Sequence, residues 1–171
     1  MKLLLPLSIL ALSLVSVSCK KDQGDDDKTR TGTFEQRIAH TWRLTNVEYA
    51  GTMPNPFNTS QSVAFNGKGE DVYGEFNFKP DYSATYRMGF TALIDIGTSE
   101  PARLPFYRPG TGIWWTNSTN DSIFVAESVD TISYQVIEDW DDKQRWQTVL
   151  PILDSISGTF VDVDMQVILR R

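Results

Sequence analysis

A single cysteine, Cys19, and a single histidine, His40, stand in the 171 residues. One cysteine rules out an internal disulfide framework, so stability must come from a packed core, for which this length is sufficient. One histidine leaves most serines without the usual base of a hydrolytic nucleophile, and no serine sits in a nucleophile-elbow motif. One histidine and one cysteine also fall short of the ligand set of a zinc site. Basic residues are outnumbered, 16 Lys and Arg against 22 Asp and Glu for a formal net charge of -6. The basic footprint of a nucleic-acid binder is therefore missing. No internal repeat of about 20–50 residues is visible, which argues against a propeller. No helical apolar stripe is long enough to cover a sheet, which disfavours parallel βαβ architecture. No motif asks for a cofactor.

Long apolar runs are also lacking, except at the start. Met1-Lys2 leads into Leu3-Leu4-Leu5-Pro6-Leu7 and on to Val15, a short positive start followed by an apolar core. Residues 1–18 have the pattern of a signal peptide, and the run falls short of the roughly 20 apolar residues of a spanning helix. Val17 and Ser18 directly before Cys19 resemble the lipobox of bacterial lipoproteins, with Ser16 where leucine is usual. Lys20 and Lys21 behind the cysteine are similar to the start of some Gram-negative lipoproteins. The resemblance implies a triacylated Cys19 bearing palmitate-class chains, and more than one chain is what stable anchoring requires. The protein is then expected at the cell envelope as an outer-membrane lipoprotein, facing the periplasm or the surface, with the membrane as partner through its lipid. Loss of Lys2 with the leader takes the net charge from -6 to -7.

Residues 20–32 contain no apolar side chain and cannot offset their ordering entropy by burial, so residues 19–32 are read as lipidated cysteine and flexible tether. The triplet Asp25-Asp26-Asp27 belongs to that solvated linker, and acidic residues at this place resemble surface-export signals. One domain, residues 33–171, is expected to follow.

That domain opens on Thr33-Phe34-Glu35-Gln36, a capping box, with Phe34, Ile38 and Trp42 at helical spacing, which predicts a short N-terminal helix. From Trp42 onward the period changes to two. Val72, Gly74, Phe76 and Phe78 alternate with Tyr73, Glu75, Asn77 and Lys79; after Pro80-Asp81, Ala84, Tyr86, Met88 and Phe90 share the next apolar face. These runs predict a hairpin. Further strands are expected at 113–116, 122–127, 131–138, 145–150 and 161–169, the last with Val161, Val163, Met165, Val167 and Leu169 on one face. Residues 51–71 and 97–111, rich in proline, read as two long connectors. The fold class is all-β: about eight antiparallel strands, as an up-and-down barrel or a two-sheet sandwich.

Four stretches carry a family resemblance: His40-Thr41-Trp42-Arg43-Leu44, where the family usually reads Gly-Thr-Trp; the aromatic hairpin Phe76 to Tyr86; Gly112-Ile113-Trp114 followed by Asp121-Ser122-Ile123-Phe124-Val125; and the terminal Ile168-Leu169-Arg170-Arg171. Their order over residues 34–171 is similar to the lipocalin-like lipoprotein domains of Gram-negative bacteria. The resemblance implies a lipocalin-like β-barrel in which Trp42 packs beneath the barrel against Arg170 or Arg171, a structural contact worth about 0.5–2 kcal/mol. It also implies that residues 51–71 cover the mouth.

An eight-stranded barrel is filled by its own side chains or holds one small ligand. The implied function is non-catalytic binding of a small, partly apolar molecule, by a monomer. Phe76, Phe78, Tyr86, Met88 and Tyr134 are the candidate ligand-binding residues, since they lie on the apolar faces of their strands; they are equally the expected core. The alternatives are a surface β-sandwich presenting Trp115 or Trp140 to glycan or protein, and a glycan hydrolase built on paired carboxylates. Glu138, Asp139, Asp141 and Asp142, with Asp162 and Asp164, are read as solvated turn and strand positions in preference to a calcium site, because the glycine-containing binding loop is missing. Trp114 and Trp115, adjacent on a strand, must face opposite sides. Replacing Cys19 with alanine is expected to abolish incorporation of labelled palmitate and to move the protein out of the membrane pellet; an unchanged pellet fraction contradicts acylation.

Overall fold

The structure, a computed structural model, describes residues 29–55, 58–95, 97, 99–153, 158 and 160–171. The leader, Cys19 and tether residues 20–28 lie outside the described residues. The elements are α1 (Phe34–Ile38), β1 (Thr41–Asn55), β2 (Asn58–Lys68), β3 (Glu70–Phe78), β4 (Ser83–Ile94), β5 (Ala102–Thr116), β6 (Ser122–Ala126), β7 (Thr131–Asp139), β8 (Lys143–Leu153) and β9 (Phe160–Arg170).

All pairings are antiparallel, and from β3 to β9 each strand pairs with the next. β9 then returns to β1, with Arg43 opposite Arg170 and Gly51 opposite Val163. The nine-stranded sheet therefore closes into a ring, a continuous ladder that leaves no pair of separate sheets. β2 and β3 share the other edge of β1, β2 against residues 48–55 and β3 against residues 41–43. The Gly69 amide bridges them by donating to Val47 O at 2.8 Å. The two act as one bent strand, so eight strand positions circle the interior.

The expected connectors are mostly strand. β1 and β2 run through most of 51–71, and β5 begins at Ala102. β2 buries only Phe65 among its described side chains, so its sequence has no alternation to betray it. In β5 the alternation of Leu104 and Phe106 with Arg103 and Pro105 is masked by two prolines.

Alternate residues turn inward and pack by shape. Trp42, Trp114 and Trp146 are fully buried, and each indole N–H has an acceptor: Ile38 O at 3.0 Å, Lys79 O at 2.9 Å and Gln144 Oε1 at 3.2 Å. Buried indoles without such partners carry a desolvation cost. Trp146 meets Phe76 and Phe78 edge-on, each with centroids 5.6 Å apart, and Trp114 meets Phe78 at 5.5 Å. Trp115, as alternation requires, points outward.

One end of the ring is plugged. The Thr33 side chain and Gln36 cap each other across α1, which buries Phe34 and Ile38. Arg171 places its guanidinium 5.1 Å from the Trp42 ring centroid, whereas Arg170 turns to Asp142, 3.8 Å away. Of the two arginines put forward for the Trp42 contact, Arg171 makes it.

The tether was expected to extend to residue 32, but residues 29–32 are docked on the turn between β7 and β8. Thr29 O accepts from the Asp141 amide at 3.0 Å, and Thr31 donates its N–H and hydroxyl to the Asp141 carboxylate at 2.9 and 2.7 Å. Arg30 donates to Asp139 O at 2.6 Å and lies 4.5 Å over Trp140. Hydrogen bonding, not apolar burial, orders this segment, and so its composition gives no sign of it. Among the described residues every buried apolar side chain falls within 34–169.

Asp139 ties α1 to the ring. Its carboxylate accepts from Arg37 Nε at 3.1 Å to both oxygens and from Gln144 Nε2 at 2.8 Å, and the ion pair is nearly buried. Removing one partner of such a pair strands the other. Asp139→Ala is expected to lower stability by about 2–4 kcal/mol in urea unfolding, and the Arg37→Met/Asp139→Leu double variant to recover most of it; equal losses in the two variants would contradict this account.

A candidate ligand pocket at the open end of the ring

Among the described residues nothing plugs the other end, and strand length leaves a gap in its wall. β6 has only five residues; it pairs with residues 113–116 of β5, and β7 pairs with residues 144–147 of β8. Residues 102–112 of β5 and 148–153 of β8 therefore have no strand between them among the described residues. Thr148 Oγ1 donates to Ser133 O at 2.8 Å and marks where the two sides part. Above it a slit opens.

Behind the slit lies an apolar pocket of about 200 Å³. β1 contributes Tyr49 and Met53, β2 Phe65, and β4 Phe90, Ala92 and Ile94; Leu104, Phe106 and Ile152 come from β5 and β8 beside the slit, and Val161 and Val163 from β9. Tyr49 stacks near-parallel on Phe90 at 5.7 Å, and Phe106 packs on Phe90 at 5.0 Å. The Tyr49 hydroxyl donates to Leu93 O at 2.9 Å and accepts from Leu93 N at 2.6 Å. Leu93 lies beyond the last pair of β4 with β3, which is Thr91 with Glu70. Tyr49 thus makes both bonds that a missing strand would have made, and seals that wall. The one hydroxyl among the described lining residues is committed to structure.

One inward position below Phe90 and Phe106 the interior turns polar. Arg108 Nη2 donates to Glu127 Oε2 at 3.0 Å, Arg108 Nε to the Tyr86 hydroxyl at 3.2 Å, and that hydroxyl to Glu127 Oε1 at 2.5 Å. The Tyr134 hydroxyl is fully buried and makes no hydrogen bond of good geometry; Tyr86, close enough to act as a weak partner, Arg108 and Glu127 are its polar neighbours. Burial first, then the Glu127 hydrogen bond, pushes the Tyr86 phenol up to about 12, partly offset by Arg108. Burial carries Tyr134 well above the ordinary phenol range. Burial works against the Arg108 charge, but Tyr86 and Glu127 outweigh it and the guanidinium is held above its usual value. Gly110 makes room here, since a Cβ at that place would collide with the Tyr86 ring and the Glu127 carboxylate.

Phe76, Phe78, Tyr86, Met88 and Tyr134, the five residues put forward from sequence, all lie inside, at most 5% exposed. None lines the pocket; they form the packed interior below it. Tyr86 and Tyr134 instead join the polar group. Alternation says which side chains face inward but not at what height along the axis. Val161, Val163 and Phe90 were legible on their apolar faces, whereas Leu104 and Phe106 were hidden in a proline-rich stretch.

The remaining candidates are occupied elsewhere. Glu138 pairs with Lys143 at 2.9 Å and Arg145 at 3.2 Å, and Asp139 and Asp141 are held as described above. Asp162 and Asp164 face solvent. Among the described residues no group of three His, Cys, Asp or Glu side chains is placed to hold a metal ion. His40 lies at the plugged end edge-on to Trp42, its pKa lowered by burial and then by Arg171. Trp140 is covered by Arg30, and Trp115 stacks on Phe124 on the outer face at 5.5 Å. No helix of the described residues is long and apolar enough to cross a membrane. Comparison with protein-family models gives no match, and comparison with curated proteins gives none either.

The slit's two edges are chemically blunted. Trp114 donates its amide to Tyr82 O at 2.8 Å, and the register with β4 is unbroken. Even-numbered residues of β5 therefore bond to β4, and odd-numbered ones, Pro105 and Pro109 among them, point to the free edge. Arg171 donates to Asp142 O at 3.1 Å, so even-numbered residues of β8 bond to β9 and Pro151 likewise faces the free edge. All three prolines remove a donor where a foreign strand would dock. Restoring the donors in a Pro105→Val/Pro109→Val/Pro151→Val variant is expected to cause concentration-dependent self-association in sedimentation runs; a variant as monodisperse as the parent contradicts the edge argument.

Proposed function

We propose that this chain is a lipid-anchored envelope protein whose lipocalin-like barrel binds a small apolar ligand without catalysing a reaction. The observation that carries the reading is the apolar pocket at the open end of a ring whose other end is filled by aromatic side chains packed edge to face. Concave, mostly apolar pockets at the mouths of such barrels are common ligand sites. An apolar cavity of about 150 Å³ accommodates a benzene-sized molecule, so the pocket here suits one ring or a short alkyl chain. Among the described residues the lining offers no nucleophile or free acid, which favours binding over chemistry.

The docked residues 29–32 give the anchor a direction. They sit at the plugged end, whereas Val161 of the pocket stands nine residues along β9 from Arg170, about 30 Å of strand and somewhat less along the tilted axis. A lipid on Cys19 would attach at the end opposite the mouth, and ligand would enter from the side facing away from that membrane.

Saturation at 100 times Kd stabilises a binder by about 2.7 kcal/mol, worth several degrees of Tm for a domain of this size. Residues 20–171 with hexylbenzene are expected to show such a rise, and Ala92→Phe or Val161→Phe, which fill the pocket, to abolish it while keeping the ligand-free Tm within a few degrees. A rise unaffected by both variants would place the ligand elsewhere.

A further inference from the structure

The pocket and the polar group beneath it read as two halves of one site, an inference that rests on the ligand-binding reading above. Period-two alternation calls for apolar side chains at inward positions, yet the ring places Tyr86, Arg108 and Tyr134 there, with Glu127 turned onto them. Buried ion pairs are often replaceable by apolar side chains without loss of stability, and a buried hydroxyl without a good hydrogen bond carries a desolvation cost. The fold itself gains little from these four groups. Gly110 is tailored to them, because any side chain there would displace the Tyr86 ring and the Glu127 carboxylate.

Position ties the group to the pocket. Arg108 is two residues below Phe106 on β5 and faces Met88, which is two below Phe90 on β4, an offset of about 7 Å along each strand. Arg108 lies on the strand that borders the slit, and its side chain and that of Glu127 keep 24% and 13% exposure. A molecule entering through the slit meets the ion pair at one end and the apolar lining at the other.

The charges decide which head group fits. Arg108 and Glu127 neutralise each other at 3.0 Å; a carboxylate would face Glu127 and an ammonium would face Arg108. The Tyr134 hydroxyl, which makes no hydrogen bond of good geometry and has only Tyr86 as a weak partner, can both donate and accept. We infer that the site takes a neutral amphiphile, its short alkyl chain or ring in the apolar pocket and an uncharged hydroxyl or amide head on Tyr134 and Arg108.

The test is calorimetric titration of residues 20–171 with three probes of one chain length: 1-octanol, octanoate and octylammonium. 1-Octanol is expected to bind at least tenfold more tightly than either ion. Tyr134→Phe is expected to weaken 1-octanol about fivefold, the effect of one hydrogen bond, while raising the ligand-free Tm because a poorly bonded hydroxyl is gone. Glu127→Gln releases the Arg108 charge and is expected to tighten octanoate at least tenfold. If the three probes bind equally and Tyr134→Phe changes only the Tm, the polar group is core alone and the inference fails while the pocket stands. If none of the probes binds, the pocket reading fails and takes the inference with it. Should Glu127→Gln not fold, the Tyr134→Phe titration decides.

Discussion

β1 hydrogen-bonds β9 along one side and the bent strand of β2 and β3 along the other, and everything else in the molecule follows from that double engagement. Without it the sheet would be open, with two long edges and no inside. With it, each residue is assigned to the interior or to solvent by its parity alone. Closure also removes most of the edges on which sheets aggregate. It cannot remove all of them, because β6 and β7 are too short to fill the wall beside the upper halves of β5 and β8. Pro105, Pro109 and Pro151 fall at the remaining edge positions, where their missing N–H groups disturb no existing ladder.

The interior of an eight-position ring is just wide enough for side chains to fill, so side-chain size decides where space remains. At the plugged end the inward positions carry Trp42, Trp114, Trp146, Phe76 and Phe78; Trp146 meets both phenylalanines edge-on and Trp114 meets Phe78 likewise. At the open end Ala92, Ile94, Val161 and Val163 take the equivalent positions and leave about 200 Å³. The pocket opens where these smaller side chains interrupt a lining that also holds Tyr49, Phe65, Phe90 and Phe106, with the polar group between it and the plug.

Much of this was legible in the chain. The alternation in 72–79, 84–90 and 161–169 gives the strands and their inward faces, and the adjacency of Trp114 and Trp115 forces one in and one out. Three features were not legible, each for a physical reason. β2 packs only Phe65 inward, so period two has nothing to mark. The prolines of β5 look like loop signals because sequence does not reveal which strand edges lack a neighbour. Residues 29–32 are ordered by hydrogen bonds to the 139–142 turn, partners about 110 positions away, and composition senses only apolar burial. The height of each inward residue along the axis was also hidden, which is why Phe76 and Phe78 were candidates for a pocket that Phe90 and Phe106 line.

Arg108 belongs to the same lesson. It falls in residues 97–111, read from their prolines as a connector, yet the parity fixed by Trp114 and Tyr82 sends it inward. Its guanidinium then needs Glu127, Tyr86 needs the space left by Gly110, and Tyr134 is left with a hydroxyl that makes no hydrogen bond of good geometry. Local opening is easiest where cross-strand hydrogen bonds are fewest, and that place is the slit between residues 102–112 and 148–153, directly beside this group. Entry of a ligand there would disturb neither the interlocked rings below nor the Arg37–Asp139 tie at the plugged end. The scaffold thus separates its most tightly packed part from the part with the fewest cross-strand bonds, and it does so through nothing more than the lengths of two strands.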